Sequence, residues 1–125
     1  MRLKSFLFFI LFILIIFLSA HIRAQEEPSL YGKVKLRTSD GDIPFKNAKV
    51  ELLDVRNEED KVLFNTYTDS YGNFAFYEIP ENDYYLKVLK GERVFDQLEG
   101  DERINRRLVN VIAQSTRLPD IIVLP

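Results

Sequence analysis

The chain has 125 residues, with 17 Lys and Arg against 19 Asp and Glu, a formal net charge of −2, no Cys, no Trp and a single His at position 21. This balance lacks the basic face of a nucleic-acid binder and the polybasic run of an anionic-lipid binder. Without Cys the fold stands free of disulfides, and thiolate chemistry is excluded.

The first residues are set apart from the rest. Arg2 and Lys4 precede an unbroken apolar run from Phe6 to Leu18, and small residues follow at Ser19, Ala20 and Ala24. That is the layout of a secretory signal peptide. A membrane-spanning helix needs ~20 apolar residues, and this run is shorter. The sequence predicts residues 1–24 as a signal peptide, cut after Ala20 or Ala24, and residues 25–125 as one mature domain. No Cys follows the apolar run to carry a lipid. The expected location is periplasmic, outer-membrane-associated or secreted, with a membrane touched only through the signal segment if it stays uncut. Loss of Arg2, Lys4 and Arg23 leaves 14 basic and 19 acidic side chains, a net of −5. A cut after Ala24 also removes His21. Ser-His-Asp and Cys-His catalysis then lack their base, and imidazole-bound metals lack their ligand.

After a polar lead-in, the apolar pattern has a period of two. In Leu30–Arg37, Leu30, Gly32, Val34 and Leu36 share one face, and Tyr31, Lys33, Lys35 and Arg37 the other. That is a strand with one buried and one wet side. Thr38–Asn47 reads as a loop rich in turn formers. Ala48–Val55 alternates again, Arg56–Lys61 is a charged hairpin tip, and Val62–Asp69 is the next strand. Asp69 and Gly72 mark a turn before Phe74–Ile79, which Pro80 ends because it cannot donate to a ladder. Glu81–Lys90 alternates with Tyr84, Leu86 and Val88 on one face. Gly91–Leu98 either extends that strand or starts another. Glu99–Arg107 reads as a polar loop, Leu108–Gln114 as a strand, and Leu118–Pro125 as a strand rich in β-branched residues. The only place a helix could form is Glu99–Gln114.

Seven short strands with turn signals between them predict an all-β sandwich or barrel. Their motifs carry a resemblance. Gly32 and Val34 lie in the first strand, and Asp40-Gly41 and Ile43-Pro44 in the following loop. Asn47-Ala48 and Val50 come next, then Thr68-Asp69-x-x-Gly72-x-Phe74, Ile79-Pro80, and Tyr84 and Tyr85 ahead of Val88. Over roughly residues 30–89 this resembles the carboxypeptidase regulatory-like domain. The resemblance implies a seven-stranded Greek-key β-sandwich of transthyretin (prealbumin-like, Ig-like) type, and a module without catalysis of its own. Two positions depart from the family's glycines, at Asn47 and Asn82. Asn is among the residues that best tolerate positive φ, so both are expected as structural turn residues beside Asp69 and Gly72. Enzymes of similar fold, the ureide hydrolases and intradiol dioxygenases, use histidines that the mature chain lacks.

Four groups are weighed as sites. Asp69, with Ser70, Asn73 and Asp40 or Asp42, could line a Ca²⁺ loop. The spacing of alternate acids is missing, and Asp69 and Gly72 suffice for a turn. Among Tyr67, Tyr71, Tyr77, Tyr84 and Tyr85, alternation makes Tyr77 and Tyr85 the surface-binding candidates, able to stack on a sugar or a protein partner. Glu58, Glu59 and Asp60 could pair as catalytic carboxylates, but adjacent acids at a tip are solvated by default. Asp101, Glu102, Arg103, Arg106 and Arg107 read as a wet loop with weak ion pairs.

The expectation is therefore an exported, non-catalytic binding or scaffolding β-sandwich with no catalytic residue, cofactor or metal. Its partner would be a protein or an envelope component rather than nucleic acid. The alternative is a carrier for a small ligand or carbohydrate. Leu118–Pro125 could be a core strand or an edge that accepts a partner's strand.

Overall fold

The structure is a computed structural model that describes Ile10, Leu11 and residues 26–125. The expected signal peptide, apart from Ile10 and Leu11, and both expected cleavage positions, Ala20 and Ala24, lie outside the described residues. Residues 26–125 contain strands and no helix. The strands are β1 (Leu30–Thr38), β2 (Gly41–Pro44), β3 (Lys49–Asp54), β4 (Val62–Tyr67), β5 (Asn73–Phe76) and β6 (Asn82–Lys90). They continue with β7 (Arg93–Phe95), β8 (Gln97–Glu99), β9 (Glu102–Ile104), β10 (Arg107–Val111), β11 (Thr116–Arg117) and β12 (Ile121–Val123).

Two sheets pack as an all-β sandwich, in line with the sequence. In the first, β1 is the axis. One of its edges pairs antiparallel with β5 and then β2, and the other pairs parallel with β11 and then β12. The sheet continues from β12 through β8 to β9. In the second sheet the order is β10-β6-β3-β4, with β7 beside β10 along the same edge of β6.

Among the described residues the strands number twelve rather than seven. The seven expected strands are β1, β3, β4, β5, β6, β10 and β12. The other five are segments of two to four residues held mainly by backbone pairing, although β7 also places Phe95 in the core. β2 lies inside the expected loop Thr38–Asn47, and all four of its residues are exposed. β8 and β9 form a hairpin within Gln97–Ile104, so the polar stretch read as a loop is partly strand, and none of Glu99–Gln114 is helical. β5 stops at Phe76, well before Pro80, because Glu78 takes φ 54° and turns the chain.

The core forms where the two inner faces meet. Leu30, Val34, Val50, Leu52, Leu86, Val88, Ile121 and Val123 are fully enclosed. Phe74 and Phe76, two positions apart on β5, point into this core and meet edge to face at 6.1 Å. Each such aliphatic side chain contributes about 1.5–3 kcal/mol on burial. β12 lies between β1 and β8, so Leu118–Pro125 supplies an interior strand and not an edge. Gln97 ties the sheets together. It sits on β8, is wholly buried, and its Nε2 donates to the Leu86 carbonyl of β6 at 3.0 Å. Leu86 is the last β6 residue paired to β10, and pairing to β7 begins at Val88. The side-chain amide thus serves a carbonyl where the ladder is interrupted.

Candidate functional site

The Asp69–Asn73 turn organises one end of the sandwich. Asp69 Oδ1 accepts from the Tyr71 and Asn73 N–H groups, both at 2.9 Å. The Asp69 N–H donates to Asn73 O at 2.9 Å, and the Gly72 N–H to Asp69 O at 3.0 Å. The carboxylate is thereby engaged by its own turn. Gly72 takes φ 80°, and a Cβ there would lie 2.5 Å from Val34 O, so glycine is required for conformation and for space. Asp42, proposed with Asp40 as an alternative ligand from another turn, is held by Arg37 at 3.0 and 3.3 Å. Among the described residues no three acidic side chains converge to hold a metal. Thr68 anchors the same end: its Oγ1 donates to Phe45 O at 2.6 Å and accepts from Ala48 N–H at 2.9 Å. Asn47, between them, has φ 53°. Asn82 does not take positive φ. It opens β6 in extended form, and the left-handed residue of that region is Glu78.

This turn brings two open sheet edges together. Val34 N–H donates to Gly72 O at 2.8 Å, which fixes the parity of the β1–β5 ladder. Gly72, Phe74 and Phe76 therefore direct their backbone groups to β1, and Ala75 directs its own to the open side. Thr68 N–H donates to Ala48 O at 2.8 Å, so by the same reasoning Tyr67 faces away from β3. Between the edges lies an open groove of ≈ 440 Å³. Tyr31 from β1, Tyr67 from β4 and Tyr77 after β5 line it, with Thr66, Asp69 and Asn73 as the polar groups. Tyr67 and Tyr77 are 61% and 51% exposed.

The surface tyrosines expected from alternation do not share a site. Tyr77 lies in the groove. Tyr85 is half-buried on the outer face of the second sheet, with the Arg106 guanidinium 4.5 Å above its ring. Tyr84 is in the core, where its hydroxyl donates to Pro80 O at 2.8 Å and burial raises its pKa. Tyr71 is exposed on the turn. Tyr31, unmarked as a candidate in the sequence, completes the groove.

The acidic tip is latched to the second sheet through Asp60. Asp60 bonds Lys87 and, at 3.3 Å, Arg106. The Lys87 hydrogen bond is the main cause that holds the Asp60 carboxyl below its usual range. Together these bonds fold the tip over the second sheet, where Leu53 is buried outside the main core. Glu58 borders a shallow depression formed with Asp60, Lys87 and Arg106, and Glu59 belongs to the tip loop itself. The mixed-charge stretch also separates. Glu102 and Arg103 lie on β9, and Arg103 faces Asp96 at 3.8 Å. Arg107 turns inward, its Nη2 donating to Leu98 O at 2.8 Å.

The outer face of the first sheet is basic beside the groove. Tyr31 is paired with Ala75 on one side and Arg117 on the other, and Lys33 follows on the same face, opposite Asn73. Lys35 pairs with Asp120 at 2.8 Å, and Arg37 with Asp42. Lys33 and Arg117 make no ion pair among the described residues.

No family model matches the chain, and no curated protein does. Among solved structures it is similar to a protein of Pseudomonas aeruginosa described as a "putative carbohydrate binding protein", at 18% identity and a TM-score of 0.46, covering 81% of this chain and 91% of that one.

Proposed function

We propose that the mature chain is an exported, non-catalytic binding module of the carboxypeptidase regulatory-like kind, and that the tyrosine-lined groove between β4 and β5 holds a component of the cell envelope. The single observation that supports this most is the groove itself. Three tyrosines from three segments converge there, two with rings largely open to solvent. Its ≈ 440 Å³ falls in the usual range of ligand sites, about 300–1,000 Å³. The absence of His and Cys from residues 25–125 and the commitment of Asp60 and Asp69 to structural bonds favour binding over catalysis. The apolar run after Arg2 and Lys4 supports export.

Retention on an envelope fraction tests the reading. The wild-type mature protein is expected to co-sediment with isolated envelopes. A Tyr31→Ala/Tyr67→Ala/Tyr77→Ala variant, folded by circular dichroism, is expected to remain in the supernatant. Equal retention of both proteins contradicts the groove as the binding surface. The second reading is a carrier for a soluble small ligand, which the same volume favours. It predicts a ligand-induced rise in the unfolding midpoint and no retention on envelopes.

A further inference from the structure

We infer that the groove takes an acidic saccharide, a chain of pyranose rings bearing carboxylates, with the rings on the tyrosines and the acid groups on Lys33 and Arg117. This rests on the groove's being the binding surface proposed above, and it adds the chemical class of the occupant.

Three observations converge. The first is the pattern of rings. A pyranose presents a face of C–H bonds that packs on an aromatic face, and Tyr supplies such a face while keeping its hydroxyl wet. Tyr31, Tyr67 and Tyr77 come from different segments, and none of them pairs with another aromatic ring among the described residues. Ala75, opposite Tyr31, leaves a low step between the rings.

The second is charge. The mature chain is acidic, with 14 basic against 19 acidic side chains, yet β1 presents Lys33, Lys35 and Arg37 in alternate positions on its outer face, with Arg117 beside them. Asp42 and Asp120 each have a cation partner in Arg37 and Lys35. Four cations thus face two acids; Lys33 and Arg117 make no direct ion pair among the described residues, although both act at longer range on Asp120, and the ladder places them around Tyr31. An excess of cations flanking an aromatic shelf suits a ligand carrying both a ring and a carboxylate. Arg in particular can bind a carboxylate through two parallel N–H donors.

The third is the polar rim on the β4 side of the groove, across β5 from Lys33. Asp69 Oδ1 is occupied by two backbone N–H groups, and the hydrogen bonds of the turn leave Oδ2 without a partner. That oxygen accepts from sugar hydroxyls and repels carboxylates. It sets the direction of the chain, with hydroxyls toward Asp69 and Tyr67 and acid groups toward Tyr31, Lys33 and Arg117.

The test is titration of the full mature protein with trigalacturonate, followed by calorimetry and by amide chemical shifts. The trimethyl ester of the same trisaccharide and hexaglutamate serve as matched probes, the first without charge and the second without rings. Trigalacturonate is expected to bind, shifting the amides of Tyr31, Lys33, Asn73 and Ala75, and the ester at least about tenfold more weakly. Affinity should fall from 50 mM to 500 mM salt. Lys33→Gln/Arg117→Gln should reduce trigalacturonate affinity about tenfold or more and leave ester binding unchanged. Tyr67→Ala and Tyr77→Ala should weaken both ligands about three- to tenfold each. Three outcomes overturn the inference: no binding of trigalacturonate, equal binding of the ester, or equal binding of hexaglutamate. If envelope retention still depends on the three tyrosines while trigalacturonate fails, the groove stands as the binding surface and the acidic-saccharide assignment falls. If retention fails as well, both fall together.

Discussion

Thr68 is where the turn, the second sheet and the crossing from β2 to β3 depend on one hydroxyl. The residue is 3% exposed. Its Oγ1 donates to Phe45 O and accepts from Ala48 N–H, and both of those residues are buried. Thr68→Val keeps the shape and removes the hydroxyl. It leaves a buried N–H and a buried C=O without partners, at about 1–3 kcal/mol each. Allowing for partial relaxation, the expected loss is roughly 2–4 kcal/mol, or roughly 10–30 °C in Tm for a domain of this size. Thr68→Ser keeps the hydroxyl and loses one methyl, for about 1 kcal/mol. Urea unfolding of the mature protein measures both, with the m value unchanged. The reasoning is refuted if Thr68→Val lies within about 0.5 kcal/mol of wild type, the range of a neutral surface change. It is also refuted if Thr68→Ser costs as much as Thr68→Val.

Gly72→Ala should cost about 3 kcal/mol or more, since it adds a positive-φ penalty of about 1–2 kcal/mol to a clash with the Val34 carbonyl; thermal denaturation checks it, and a loss below about 1 kcal/mol would count against the close approach. Deletion of residues 119–125 removes the buried Ile121 and Val123 and the ladders from β12 to β1 and β8. The two side chains alone represent about 3–6 kcal/mol, comparable with the whole stability of a small domain, so the truncated protein should lose its cooperative transition. For acid unfolding, Asp60 and Asp120 have carboxyls held below their usual range, chiefly by hydrogen bonds from Lys87 and Lys35. Their stabilisation is present above the unfolded pKa, about 4, and is lost as pH falls through the lowered folded values. Asp60→Asn/Asp120→Asn should flatten the decline of stability below pH 4; an unchanged acid slope would contradict the linkage.

Much of the sandwich was legible because its long strands each bury one face. Leu30 and Val34, Phe74 and Phe76, and Leu86 and Val88 alternate with wetter residues, and that alternation survives into the structure; on β3 it does not, because Glu51 and Leu53 are buried as well as Val50 and Leu52. The short strands were not legible, for a physical reason. Gly41–Pro44 and Glu102–Ile104 hold their places by main-chain pairing at a sheet edge, so their side chains carry little or no burial signal. Asn82 misled because positive φ moved four residues upstream to Glu78, a residue type that seldom adopts it. The groove was half legible. Alternation put Tyr31 and Tyr77 on wet faces and left Tyr67 unassigned, and only the meeting of the β4 and β5 edges makes one surface of the three. Tyr85 carried the same sequence signal as Tyr77 and ended beneath Arg106 on the opposite sheet.

The groove is the central claim, and residue-level mapping of binding tests it most directly. Isotope-labelled mature protein titrated with detergent-solubilised envelope fraction should show amide shifts or broadening at Tyr31, Tyr67, Asn73, Ala75 and Tyr77, with the hairpin tip at residues 56–61 unaffected. Perturbations confined to the tip or to the outer face around Tyr85 and Leu108, with Ala75 silent, would contradict the account.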